Sequence, residues 1–293
     1  MTNISPASNG PAPYPALPEL KVALWSIRNF MDDEPNETLN FLRDIGVRTV
    51  EVAGFYLWSP TKFASELKKR ELQTCSIHGP IVRRDRPVQA YVDWATSRLQ
   101  RFGARKLCLE MMPKELYSDD IEKTAAIYDD MARTIVNIAN ALAAEGIRLD
   151  YHCYEHDFLH YQSKYLLERL FALKPPATFG LQLDTYWFAT AKVPPEDVSN
   201  WPVKVNSIHL NKRNTRGECC VIDGSDFGTC EAYMLPLMRR CDEIDWFLEN
   251  DPDNDAHPEM GSNSKNLVEQ CLDGWPKVWA TLLQTENKTV AGK

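Results

Sequence analysis

The chain has 293 residues, of which 44% are hydrophobic and 10% aromatic, enough to bury a substantial core as one large domain or two small ones. A net charge of −8 argues against a general nucleic-acid or membrane-surface binder, because tracking phosphates takes clustered Lys and Arg; it favours a neutral small molecule or a cation as partner. With no apolar run of membrane-spanning length, no secretory signal pattern and eight scattered cysteines without a CxxC pair, a cytoplasmic protein with reduced core thiols is expected.

Residues 1–20, rich in proline and without Lys or Arg, read as a flexible leader. From Lys21 onward, short apolar runs alternate with amphipathic stretches. The first strand candidate is KVALWSI (21–27); a helical pattern follows in which Leu39, Leu42 and Ile45 recur and Gly46 supplies a stop. TVEVAG (49–54), QTCSIHG (73–79) and KLCLEMM (106–112) come next. A long apolar stripe over 120–146, closed by Gly146, predicts the helix before the fifth strand, RLDYHCY (148–154). TFGLQLD (178–184), VNSIHL (205–210) and DWFLEN (245–250) complete the set, and a closing helix with a break expected at Pro276 leads to a flexible tail at 285–293. Strands this continuously apolar fit a parallel sheet covered on both faces. Strand and helix pairs in this number and chain size predict an α/β protein, a (β/α)8 TIM barrel over 21–284. A doubly wound sheet is the alternative, but no glycine-rich turn follows the first strand.

In a parallel barrel all strands end on one face, so polar residues at those ends meet although they are far apart in sequence. The predicted ends carry Arg28, Glu51, His78, Glu110, His152 with Glu155 and His156, Asp184, His209, and Glu249 with Asp251. Any one of these is commonly a loop cap or a hydrogen-bonded rim residue. Yet His78, His152, His156 and His209, of six histidines in all, gather there. Converging carboxylates repel unless a metal ion or an Arg compensates them. A mixed set of Asp, Glu and His suits one divalent cation, Mn, Mg, Co or Zn, with open positions left for substrate oxygens.

From about Lys21 to Gln284 the sequence resembles the xylose isomerase-like TIM barrels, the sugar phosphate isomerase/epimerase superfamily. The stretches that carry the likeness are TLNFLRDIGVRTVEVAGFY, SIHGP, LDYHCYEHDF, LQLDTYW, SIHLN and WFLEND. The resemblance implies one divalent ion held from the last four strands, with Asp184, His209 and Glu249 as ligands and His152 at the fifth-strand position. Two extra residues before HDF leave Glu155 or His156 as alternatives there. In the family's epimerases two glutamates act as paired acid and base. Here Glu249 matches one of them, and His152 or Glu155 would have to serve as its counterpart. Asn211 falls at a family Lys position, so Lys212 and Arg213 are candidates to bind a substrate oxyanion, a solvated basic loop being the alternative. Glu51 and His78 are candidate substrate or supporting contacts, with Glu110 a weaker one. Trp187 is a candidate stacking residue, as are Trp25, Phe55, Tyr56, Trp58 and Tyr186. Arg83, Arg84 and Arg86 form a basic loop after the third strand.

The function so implied is a divalent-metal-dependent isomerase or epimerase acting on a sugar, keto-sugar or polyol-like substrate by proton abstraction beside a polarised carbonyl. The alternative is a lyase or dehydratase of the same fold, of the inosose, dehydroshikimate or 3-keto-glycoside kind. A third reading is a barrel that binds a ligand without catalysis. An abasic-site endonuclease is disfavoured by the acidic chain. Relatives often form dimers or tetramers, so a homo-oligomer is an expectation too.

Overall fold

A computed structural model describes residues 16–110, 119–225, 228–250 and 264–291. Its barrel strands are β1 Leu20–Ala23, β2 Thr49–Val52, β3 Gln73–His78, β4 Lys106–Glu110, β5 Arg148–His152, β6 Phe179–Asp184, β7 Val205–Leu210 and β8 Asp245–Leu248. Each pairs in parallel with its neighbour in sequence, and β8 closes back onto β1. The (β/α)8 barrel is therefore present, and helices such as Pro60–Lys69, Val88–Phe102 and Ile121–Ala144 pack around it. Among the described residues no helix is long and apolar enough to cross a membrane.

The strands carry two kinds of side chain in alternation. Val50, Val52, Leu107, Leu109, Leu149, Leu181, Leu183, Ile208 and Leu210 are fully or almost fully buried in the apolar core cluster shared with the helices. The residues between them bond across the barrel interior. Lys106 Nζ reaches Asp245 Oδ2 at 2.6 Å, Ser207 Oγ reaches Asp150 Oδ2 at 3.0 Å, and Cys108 Sγ reaches Gln182 Oε1 at 3.0 Å. TIM-barrel interiors are ordinarily filled by layers of branched apolar residues; here the filling is a stack of hydrogen-bonded polar groups. One close approach needs glycine: a Cβ on Gly180 would lie 1.8 Å from Asn206 Nδ2, the atom that donates to Asp150 Oδ1 at 2.9 Å.

Several sequence expectations change at their edges. The first strand stops at Ala23, and Leu24–Ile27 coil into a 3₁₀ turn because Ser26, buried, accepts the Asn250 N–H and donates to Leu248 carbonyl. Arg28 thus opens the short helix Arg28–Asp33 rather than ending a strand, with its guanidinium 4.4 Å from the Trp25 ring centroid. The final helix, Ser264–Ala291, runs unbroken through Pro276, since Cys271, Trp275, Val278, Trp279 and Leu282 are buried on both sides of it. It also converts 285–291, expected as a flexible tail, into helix. A small antiparallel hairpin, His160–Tyr161 with Lys164–Tyr165, was not foreseen. Leader residues 1–15, the predicted strand extension 111–112 and Asp251 lie outside the described residues. All eight cysteines are free.

Candidate functional site

The register of the strands sets the levels of the site. Glu110 of β4 lies opposite His152 of β5, which lies opposite Gln182 of β6; Asp184, two residues on, lies opposite His209 of β7. Ligand atoms of His152, Asp184 and His209, all almost fully buried, lie within 4.8 Å of one another. Asp184 also caps the helix Thr185–Thr190, accepting from the N–H groups of Tyr186 at 2.7 Å and Trp187 at 3.2 Å. Burial pushes its pKa up to about 7 against those hydrogen bonds.

Beneath these residues, Gln182 and Glu51 fix which histidine nitrogens carry protons. Gln182 Nε2 donates to Glu51 Oε1 at 3.0 Å, so its Oε1 is an acceptor. That oxygen receives His152 Nδ1 at 2.9 Å, His78 Nε2 at 2.9 Å and the Cys108 thiol. Glu51 Oε2 receives His209 Nε2 at 2.6 Å and His78 Nε2 at 3.1 Å, while Ser76 donates to Oε1. His152 therefore presents Nε2 as a lone pair, and His209 presents Nδ1. His209 Nδ1 abuts Glu249 Oε2, and neither buried atom has a hydrogen-bond partner. Two lone pairs this close repel, and either a proton shared between them or a cation bound by both would relieve the repulsion. A carboxylate behind a histidine whose other nitrogen is unprotonated is the arrangement that orients metal-ligating imidazoles. The donor set fits a divalent ion.

The electrostatics agree. Burial drives His152 well below the ordinary imidazole range, reinforced by His209 and His78; burial likewise lowers His209 against Glu51. Neutral imidazoles are what ligation requires. Burial opposes ionisation of Glu51, yet its interactions with His78 and His209, hydrogen bonds included, outweigh burial and hold the carboxyl well below its usual value. Burial also opposes protonation of His78, but Cys108 and Glu51 together raise it well above the imidazole range.

These groups line one cavity of about 550 Å³ at the C-terminal mouth of the barrel. Glu51, His78, His152, Asp184, Trp187, His209, Arg213 and Glu249 all border it. Both Glu51 oxygens are held by protein donors, which suits holding His209 in place rather than meeting a substrate. Trp187 packs on Tyr154 at 5.5 Å between centroids; Arg213 stacks over Tyr186 at 4.4 Å with its Nε on Asn211 Oδ1. Lys212, Glu155 and His156 are not among the lining residues. Glu155 opens a 3₁₀ turn, Glu155–Phe158, that leads away from the mouth because Asp157 is fully buried, bound by the Tyr128 and Tyr151 hydroxyls and by the Tyr154 N–H. His156 is buried alongside it. Arg83 pairs with Asp85 on the exposed loop, and Arg86 lies over Tyr91.

Gln182, Cys108 and Tyr154 were missed by reading strand ends alone. Tyr154, two residues past His152, borders the cavity and donates its hydroxyl to Glu110 Oε2 at 2.6 Å.

No protein-family model and no curated protein matches the sequence. Solved structures match in fold. A sugar phosphate isomerase/epimerase from Parabacteroides distasonis is 15% identical, with a TM-score of 0.70 over 92% of this chain and 97% of that one. The IOLI protein, crystallised with a binding zinc atom, is 10% identical, with a TM-score of 0.62 over 92% and 99%. AsbF from Bacillus anthracis, described as the probable 3-DHS dehydratase of petrobactin synthesis, is 12% identical, with a TM-score of 0.60 over 85% and 98%. The chain has the fold of the xylose isomerase-like and sugar phosphate isomerase/epimerase barrels.

Proposed function

We propose that the protein is a divalent-metal-dependent enzyme that moves a proton beside a carbonyl of a small carbohydrate-like substrate, as an isomerase or epimerase. The observation that carries this reading is the gathering of ligand atoms of His152, Asp184 and His209 within 4.8 Å of one another, all buried, with Glu249 Oε2 against His209 Nδ1. His152, Asp184, His209 and Glu249 would hold the ion. When bound, the ion supplies a Lewis acid that polarises a carbonyl oxygen and acidifies the neighbouring C–H. Glu249 is the cavity carboxylate placed to take that proton. Tyr154, donating to Glu110, offers a hydroxyl at the cavity wall through which a proton can pass to a second carboxylate. Arg213, rigid on Tyr186, orients a substrate oxyanion. Neighbours in fold described as a sugar phosphate isomerase/epimerase and as a zinc-binding protein support the reading.

A second reading is a metal-dependent lyase or dehydratase. It is favoured by His152 standing where a second ligating carboxylate would be needed for two-glutamate epimerisation, and by the likeness to AsbF. A barrel that binds ligand without turnover is the non-enzymatic alternative. Metal analysis of purified protein and of Asp184→Ala and His209→Ala separates these from a metal-free barrel: about one ion per chain is expected, lost in both variants, and equal metal content in all three would sink the site. Incubating candidate keto-sugars in deuterated water then sorts the chemistry. Deuterium gain without loss of a fragment marks isomerisation, loss of water or an aglycone marks elimination, and binding without either marks the non-catalytic barrel.

A further inference from the structure

The cavity is chemically two-sided. Its floor and one wall carry the proposed ion ligands, Tyr154, Glu110 and Arg213. The opposite wall, built after β1, β2 and β3 and on the helix Val88–Phe102, presents Trp25, Phe55, Pro80, Ile81 and Trp94. Trp25 and Ile81 are 40% and 42% exposed, high values for large apolar side chains. Phe55 and Trp94 are held in place behind them, 6.3 Å apart between ring centroids and capped by Arg98, while Phe102 stacks on Phe55. Apart from the two indole N–H groups, no described side chain on this wall can hydrogen-bond. A polyol lying there would leave its hydroxyls without side-chain partners, and a buried hydroxyl without a partner is unfavourable. An apolar group would instead be stabilised by the area it removes from water. The wall is continuous with the polar floor within one cavity of about 550 Å³, a size that suits a ligand with two distinct ends.

We infer that the substrate is amphipathic, with an oxygen-rich end that binds at His152, Asp184, His209 and Glu249 and an apolar, ring-like substituent that lies against Trp25, Phe55 and Ile81. The inference rests on the metal reading above and narrows it: the ligand is a substituted carbohydrate or hydroxy-carbonyl compound rather than a bare polyol.

Three hydroxamates that share one chelating head test it on metal-loaded protein by calorimetry: acetohydroxamate with no tail, benzohydroxamate with an apolar ring, and gluconohydroxamate with a polyol tail. Benzohydroxamate is expected to bind at least about tenfold tighter than either of the others, the order of gain that burying much of one ring confers. The double variant Trp25→Ala/Ile81→Ser should erase that gain while leaving acetohydroxamate affinity and metal content as in the parent; neither side chain belongs to the buried core. If the acetyl and phenyl compounds bind a metal-loaded protein alike, or the polyol compound binds tightest, the amphipathic substrate is wrong while the metal reading stands. A protein that takes up no metal and binds none of the three overturns both.

Discussion

Glu51→Gln is a near-isosteric change, and the hydrogen-bond pattern dictates its effect. Glu51 accepts from Ser76 and Gln182 on one oxygen and from His209 and His78 on the other. An amide offers one acceptor and one donor. If its oxygen faces His209, its NH₂ meets Gln182 Nε2; relief by flipping Gln182 turns an NH₂ toward His152 Nδ1 and forces that ring into the tautomer whose Nε2 is protonated. If its NH₂ faces His209 Nε2, that nitrogen must become the acceptor, and Nδ1–H then points at Glu249. Either way one proposed ligand loses its lone pair, or a buried donor pair goes unsatisfied at about 1–3 kcal/mol. The expected result is a 10- to 100-fold weaker divalent-metal affinity, of the size found when residues that orient ligating histidines are altered. Competition with a chromophoric chelator measures it. The exchange variant Glu51→Gln/Gln182→Glu should regain most of the loss, because the carboxylate now on β6 again accepts from His152, His78 and Cys108, while the amide now on β2 donates to it and accepts from His209. Metal affinity unchanged in Glu51→Gln, or equally poor in the exchange variant, would refute the tautomer argument.

Tyr154→Phe should keep the bound ion yet slow solvent-deuterium uptake by a substrate about 10²-fold or more, the usual scale for a positioned proton-transfer group; uptake at the parental rate removes Tyr154 from the chemistry. Gly180→Ala must push Asn206 off Asp150, costing roughly 1–3 kcal/mol in urea unfolding from overpacking alone. Asp245 lies 2.7 Å from Lys21 and 2.6 Å from Lys106; burial raises its pKa, but the two ammonium groups outweigh that and hold it below the usual value. A depressed folded pKa means the contribution is complete above the unfolded value, about 3.9, and is lost as pH falls through the folded one. Asp245→Asn should therefore flatten the acid limb of thermal stability below about pH 4, and an unaltered limb would show that the ion cluster is inert.

How much of this was legible in the sequence follows from the strands themselves. Apolar runs and glycine stops located the barrel strands to within a few residues, because outward-facing Leu, Val and Ile dominate each run. The same dominance hid the inward alternation of Lys106, Cys108 and Glu110, of Asp150 and His152, and of Gln182 and Asp184. Asp184, His209 and Glu249 stand at or just past strand ends and are legible there, whereas Gln182, one pleat lower, is enclosed in the apolar run. Tyr154 was out of reach for another reason. Its position depends on Asp157, which is fixed by Tyr128 from the helix Ile121–Ala144, a contact no local pattern encodes. The same buried carboxylate anchors the turn after Tyr154, where Glu155 and His156 fall off the cavity lining while His152 stays on it.

The polar interior also explains why the site can sit so deep. Along the barrel axis the charges alternate: Lys106 with Asp150 and Asp245 at the base, Glu51 with its histidines in the middle, and the converging acceptors at the mouth. Burial is the largest influence against protonation of His209 and prevails over Glu51, which favours it; His78 and Lys106 act in the same direction as burial. Removing Lys106 charge would leave Asp150 and Asp245 without their shared partner and would ease the protonation of His209, the state in which it cannot ligate. The base of the barrel, far from any substrate, is thereby tied to the state of the mouth through one chain of neighbouring charges.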